Sequence, residues 1–130
     1  MTPSSRSAAP LFLGLDLSTQ SLTALVIDGA GAMAGHVSLN FDRHFPSYGT
    51  LGGVLPGKGD STVVHGDPLL WTEALEEMMR CLGREGLLSR VRAVAVSAQQ
   101  HGTVYLKSSF AKTLLSLAGN EPLKEQMAPT

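Results

Sequence analysis

The residues best suited to chemistry lie in two short polar segments, each placed directly after an apolar run. The first is Asp16-Leu17-Ser18-Thr19-Gln20. A carboxylate at the end of a strand can hold a hydrated Mg2+ through its waters, because Mg2+ dehydrates reluctantly and favours one or two carboxylates plus phosphate oxygens. The small hydroxyl residues that follow let backbone N–H groups approach phosphate oxygens closely. Asp and Ser are also ordinary turn formers, so a plain hairpin would use the same residues. The second segment is Gln99-Gln100-His101-Gly102. Two amides and an imidazole are neutral donors and acceptors, suited to sugar hydroxyls and poor tools for a bare phosphate. His36, His44 and His65 have no ligand spacing and read as structural or exposed.

A third segment imitates a phosphate loop. Residues 52–59 (GGVLPGKG) copy the Walker A spacing up to Lys58, but Gly59 stands where a Ser or Thr must ligate Mg2+. That stretch neither leaves a clear strand nor opens a helix. No nucleophile elbow, zinc-binding His pair or Rossmann glycine fingerprint occurs, so the usual hydrolase and dehydrogenase chemistries have no residues to use.

The elements that must position the two segments follow from periodicity. Residues 11–16 (LFLGLD) are nearly continuously apolar, the pattern of a central strand covered on both faces. Residues 21–28 alternate Leu22, Ala24 and Val26 with Ser21 and Thr23, as a hairpin partner does. After Asp28-Gly29-Ala30-Gly31, a third strand alternates Met33, Gly35, Val37, Leu39 and Phe41 with polar neighbours. Residues 42–66 are rich in Gly, Pro, Asp and Ser without sustained periodicity, a connection long enough to be functional or mobile. Asp67 and Pro68 then predict a helix entrance, N-cap followed by first position. The stripe Trp71, Leu75, Met78 and Leu82 marks the buried side, Glu76 and Arg80 pair one turn apart, and Gly86 is the stop. Residues 91–97 (VRAVAVS) predict another buried strand, with residues 98–102 as its polar exit loop, at the edge where open α/β sheets collect ligands. Phe110, Leu114, Leu115 and Leu117 suggest a short helix, and residues 123–127 begin another. The predicted fold is α/β: a three-stranded antiparallel meander, a crossover helix and a parallel fourth strand in one mixed sheet.

Composition narrows the function classes. The 130 residues suffice for one small domain. Ten Lys and Arg against eleven Asp and Glu give a net charge of −1 without a basic block, which disfavours a nucleic-acid partner. Charged residues are 16% of the chain and hydrophobic ones 43%, so the chain folds and some of its surface expects cover. The single cysteine, Cys81, can form no internal disulfide and has no companion for a zinc site, which fits a reducing compartment. The apolar runs are too short to span a membrane, and residues 1–10 lack the apolar core of a secretory signal. They read as a frayed leader, and the expected location is cytoplasmic with no membrane partner.

Taken together, LFLGLDLSTQSLTALVID, FDRHFPSYGTLGGV and AVAVSAQQHGTVYLK, in that order, resemble the amino-terminal portion of the FGGY carbohydrate kinases, above all the eukaryotic branch acting on D-xylulose. The resemblance runs from about Leu11 to the last residues. It implies one arm of an actin-like, ribonuclease H-like domain, with residues 1–10 as leader, 11–106 as partial kinase domain and 107–130 as an incomplete continuation. It further implies that Asp16 organises Mg2+ and ATP through water, that Ser18, Thr19 and Gln20 form the nucleotide turn facing the terminal phosphate, and that His101, with Gln100 beside it, contacts the sugar. The implied reaction transfers the γ-phosphoryl group of ATP to D-xylulose. Many relatives have Gly at the position of Ser18 and Lys at that of Thr23, so this turn is bulkier and lacks one positive charge. The family's catalytic base and second lobe lie beyond the matched motifs, downstream of Thr130, so the 130 residues alone are expected to be inactive. Two alternatives stand beside this: a non-catalytic short form that binds a sugar or a full-length homologue, and a generic actin-like fragment that binds ATP without sugar. The kinase reading requires Asp16 and His101 to converge on a shared hollow.

Overall fold

In the computed structural model, which describes residues 9–57 and 62–129, four strands form one mixed sheet in the order β3-β2-β1-β4. They are β1 Leu11–Leu17, β2 Ser21–Asp28, β3 Met33–Asn40 and β4 Val91–Ala98. β1 to β3 form the antiparallel meander, and β4 returns parallel to β1 with Asp16 opposite Ser97 and Leu17 opposite Ala98. Because β1 and β4 run the same way, the turn after one and the loop after the other leave the sheet at the same edge.

Strand alternation divides the sheet into two unlike faces. Leu11, Leu13 and Leu15 of β1, Leu22, Ala24 and Val26 of β2 and Leu39 of β3 are buried on one of them. The helix α2, Pro68–Arg84, covers that face over β2 and β3 with Leu70, Ala74, Met78 and Leu82, all fully buried. The opposite face is open: Phe12 and Leu25 are exposed, as is Asp16. This corrects the expectation that β1 is covered on both faces. An apolar run reports hydrophobicity and carries no information on how many neighbours the fold supplies. β4 is likewise corrected. It is a strand, and its register puts Val94 and Val96 beside Leu13 and Leu15, yet they are 55% and 70% exposed because α2 lies over the far side of the sheet.

The α2 boundaries follow from local chemistry. The Asp67 side chain accepts from Leu69 N at 2.8 Å, and Pro68 occupies the first turn, where no N–H is needed. At the other end Gly86 adopts φ 71°, Gly86 N donates to Gly83 O at 3.0 Å and Leu87 N to Leu82 O at 3.1 Å, the paired bonds of a Schellman stop. Arg80 pairs with Glu76 and also with Glu77. The deepest stripe starts one residue earlier than the periodicity predicts: Trp71 and Leu75 are only partly buried, because the apolar side is two residues wide there and the sheet takes its Leu70 and Ala74 edge.

Residues 42–57 are more regular than their composition suggests. Helix α1, Phe41–His44, is capped by Asn40, whose side chain accepts from Arg43 N at 3.1 Å. A 3-10 turn follows at Pro46–Tyr48, then isolated bridges pair Leu51 with Val54 and Leu55 with His65. Elements of three or four residues are too short to show a period. Lys58 and Gly59 of the Walker-like stretch, and residues 1–8 of the leader, lie outside the described residues. Beyond β4 come α3, Phe110–Leu115, and α4, Leu123–Met127. α4 rests on α2: Lys124 Nζ is 2.8 Å from Glu73 Oε2 and 4.8 Å above the Tyr48 ring, while Tyr48 donates to the same Glu73 oxygen at 2.6 Å. The hydrogen bonds from Lys124 and Tyr48 hold the Glu73 carboxyl below its ordinary value.

Candidate functional site

The turn between β1 and β2 is held from within and from two sides. Ser18 N donates to Ser21 O at 2.9 Å, and the Ser18 hydroxyl reaches the same oxygen at 3.1 Å. Gln99 Nε2, on the loop after β4, donates to Ser18 O at 3.0 Å, and Phe41 N donates to Gln20 O at 2.9 Å. The carbonyls of Ser18 and Gln20 are therefore engaged by protein donors. The N–H groups of Thr19 and Gln20 and the Thr19 hydroxyl have no partner among the described residues, and both residues are exposed. An exposed turn with two of its carbonyls engaged and its Thr19 and Gln20 N–H groups unengaged suits an anion. Of the two hydroxyls expected at a phosphate, Thr19 is the unengaged one and Ser18 is committed to the turn itself.

The loop after β4 carries Gln99, Gln100 and His101, all exposed. His101 has φ 61°, the only positive φ outside glycine among the described residues, a backbone state that His adopts more readily than branched residues do. The loop lines a hollow of about 330 Å3 together with Thr19, Gly53, Val54, His65 and Trp71. Asp16 lines a separate open depression with Gly14, Thr23, Leu25 and Ser97. Thr19, Gln100 and His101 thus line one hollow, and Asp16 lines another. The reason is strand alternation: Asp16 shares the open face with Phe12 and Gly14, whereas the turn beyond Leu17 curls toward the amino-terminal end of α2.

Three residues have a part in this geometry that the sequence does not assign them: Gln99 reads there as a sugar-facing amide, Gly53 as part of the Walker-like stretch, and Asp42 is given no role. Gln99 is the tether between the two segments. Gly53, at φ 81°, lies so close to the turn that a Cβ there would come within 2.0 Å of Thr19 O and 2.7 Å of Gln20 Cα. Asp42 holds Gly53 in place: its carboxylate accepts from Thr50 Oγ1 at 2.7 Å, Gly52 N at 2.7 Å and Gly53 N at 3.0 Å. The Gly52 and Gly53 amides are consumed by that carboxylate, which removes them from any Walker-type phosphate cradle. The Gly52–Gly53 pair was the available signal for a tight approach, but nothing in the spacing points from it back to Asp42. Among the described residues no group of three His, Cys, Asp or Glu gathers as a metal cage, and no helix is long and apolar enough to cross a membrane.

A mixed sheet with this strand order and a helix on one face has the arrangement of part of an actin-like domain. The xyloylose (xylulose) kinase of Brucella ovis matches 71% of this chain with a TM-score of 0.52 at 26% identity, covering 17% of that structure. The gluconate kinase of Lactobacillus acidophilus matches 71% with a TM-score of 0.53 at 18% identity, covering 16%, and shows the fold alone. No protein-family model matches the chain. The curated relatives are more particular. The xylulose kinases of Schizosaccharomyces pombe and Mus musculus are 33% and 35% identical over 90% and 88% of this chain, and xylulose kinase 2 of Arabidopsis thaliana is 35% identical over 90%. The chain is similar to xylulose kinases along nearly its whole length. It spans about a fifth of the length of those relatives, 20% to 21%.

Proposed function

We propose that this chain supplies the phosphate turn and the sugar loop of a xylulose kinase. The reaction transfers the γ-phosphoryl group of ATP to the terminal hydroxyl of D-xylulose: the hydroxyl oxygen forms the new P–O bond, the bond to the bridging oxygen of ADP breaks, and the hydroxyl proton passes to a base outside these 130 residues. The observation that carries the proposal is the exposed turn at Thr19 and Gln20, tethered through Ser18 and Gln99 to the Gln100 and His101 loop, with Thr19 and that loop lining one hollow.

Each residue has a part that its placement supports. Thr19 and Gln20 bind the terminal phosphate through backbone N–H groups and the Thr19 hydroxyl. Ser18 keeps the turn in shape. Gln100 and His101 orient the sugar hydroxyls in the hollow beside the turn. Asp16 is an exposed carboxylate without companion ligands, which suits a cation held mainly by water and phosphate oxygens, as Mg2+ prefers. A bound Mg2+ neutralises charge on the transferring phosphoryl group.

Residues 11–106 form the kinase-domain portion and residues 107–130 its continuation, in a cytoplasmic protein. The uncovered β4 favours cover by the rest of a kinase lobe, or by a full-length homologue, so the 130 residues alone bind without turnover. The test joins them to the remaining four-fifths of a xylulose kinase and follows D-xylulose 5-phosphate by mass spectrometry with Mg2+ and ATP. Product from the joined protein, and its loss in Asp16→Ala, is the expected result. An ATP response with no sugar response in either protein sinks the assignment in favour of a generic nucleotide-binding fragment.

A further inference from the structure

Asp42 lies away from the two segments that carry the proposed chemistry, yet its hydrogen bonds lead to one of them. Its carboxylate gathers three donors, the Thr50 hydroxyl and the Gly52 and Gly53 amides, from a segment that begins eight residues further on. Thr50 is the one polar or charged residue among the described residues that is buried, at 6% exposure. Held in this way, Gly53 fits against Thr19 and Gln20 with no room for a methyl group. The same Gly53 and its neighbour Val54 form a wall of the hollow that His101 lines. One carboxylate therefore fixes both the back of the turn and the side of the hollow.

We infer that Asp42 is a positioning residue that presses Gly53 against Thr19 and Gln20 and so sets the shape of the β1–β2 turn. Only the identity of what the turn binds rests on the proposed function; the mechanical link stands on the geometry alone. The three donors also hold the Asp42 carboxyl below its ordinary value, the Thr50 hydroxyl most of all, in keeping with a charged acceptor at the centre of the loop. In Asp42→Asn one carboxylate oxygen becomes an NH2 group that cannot accept: with the amide oxygen at the Oδ1 position Gly52 N is released, with it at Oδ2 Gly53 N is released, and in either orientation the clamp on the Gly52–Gly53 segment is weakened.

The experiment is residue-resolved amide hydrogen exchange on the 130-residue chain, for the natural sequence, Asp42→Asn and Gly53→Ala. The informative probes are Ser18 N and Phe41 N, whose acceptors are within or beside the turn, with Gly52 N and Gly53 N as local probes. Asp42→Asn is expected to speed exchange at least tenfold at Gly52, Gly53, Ser18 and Phe41 and to leave Met78 and Leu82 of α2 unchanged. Gly53→Ala is expected to disturb Ser18 and Phe41 in the same way. Acceleration confined to Gly52 and Gly53 overturns the inference, as does uniform acceleration across α2, which signals a general structural role. Asp42→Glu, which keeps the charge, is expected to restore part of the protection at Ser18 and Phe41. A chain that fails to respond to Mg2+ and ATP counts against the proposed function and leaves this comparison intact.

Discussion

His101 and Asp42 have opposite relations to their surroundings. His101 pays for a left-handed backbone on an exposed loop with no hydrogen bond to show for it among the described residues, the kind of local strain that collects at binding sites. His101→Val is expected to lower stability by about 1–2 kcal/mol, because a branched side chain crowds the following carbonyl in that conformation. His101→Asn, which tolerates it, is expected to stay within about 0.5 kcal/mol of the natural chain and still lose the response to D-xylulose. Thermal melts and a sugar titration of both variants check this. Asp42 makes an acid-side signature. Its folded value lies below the ordinary 3.8, so its contribution is complete above that value and is lost as pH falls through the lowered one. Protection of Gly52 and Gly53, corrected for intrinsic exchange, is therefore expected to be flat from roughly pH 5 to 8 and to fall only in stronger acid. The two polar segments stand out in the sequence by residue type, and their meeting at one end of the sheet follows from the parallel pairing of β1 and β4. Asp42 was not legible, since its partners lie eight to eleven residues away in a stretch with no period.

α2 separates what local chemistry decides from what packing decides. Its entrance at Asp67 and Pro68 and its stop at Gly86 were readable because caps are made by neighbours in the chain. Asp67→Ala is expected to cost about 1 kcal/mol, the usual value of a side-chain cap. Met78, fully buried between the helix and the sheet, is expected to cost about 2–5 kcal/mol as Met78→Ala, whereas the surface-like Val96→Lys is expected to change stability by less than about 0.5 kcal/mol. Urea titrations of the three variants give the ranking. The contrast between Met78 and Val96 was not legible: both are apolar in apolar stretches, and only the lateral placement of α2 decides which one is covered. At the far end, Lys124→Ala is expected to loosen α4 while leaving the global melting midpoint nearly unchanged, because the Glu73 and Lys124 side chains are both more than a third exposed. Glu73 is held below its ordinary 4.5, so the α4 contact is present above that value and lost only in acid. Exchange rates of α4 amides against pH read both effects.

At the scale of the molecule, the sheet is finished on one face and unfinished on the other. The meander, α2 and the parallel β4 bring two polar segments to one edge, while Phe12, Leu25, Val94 and Val96 remain exposed. The few charges noted in the sequence anticipated a surface that expects cover, and the open face and the outer strand show where that surface is. The shared hollow for Asp16 and His101 that the sequence requires is not met within these residues: His101 lines a hollow with Thr19, and Asp16 lines a separate depression on the open face, so the kinase reading rests on the Thr19 and His101 hollow. The proposed division of labour puts the nucleotide at the turn and the sugar at the loop. It is tested most directly by amide NMR titration of the 130-residue chain, first with Mg2+ and ATP and then with D-xylulose. The account expects the nucleotide to move the Thr19 and Gln20 amides and the sugar to move Gln100, His101 and Gly102. Shifts from both ligands at the same residues, or from neither ligand at either segment, contradict it.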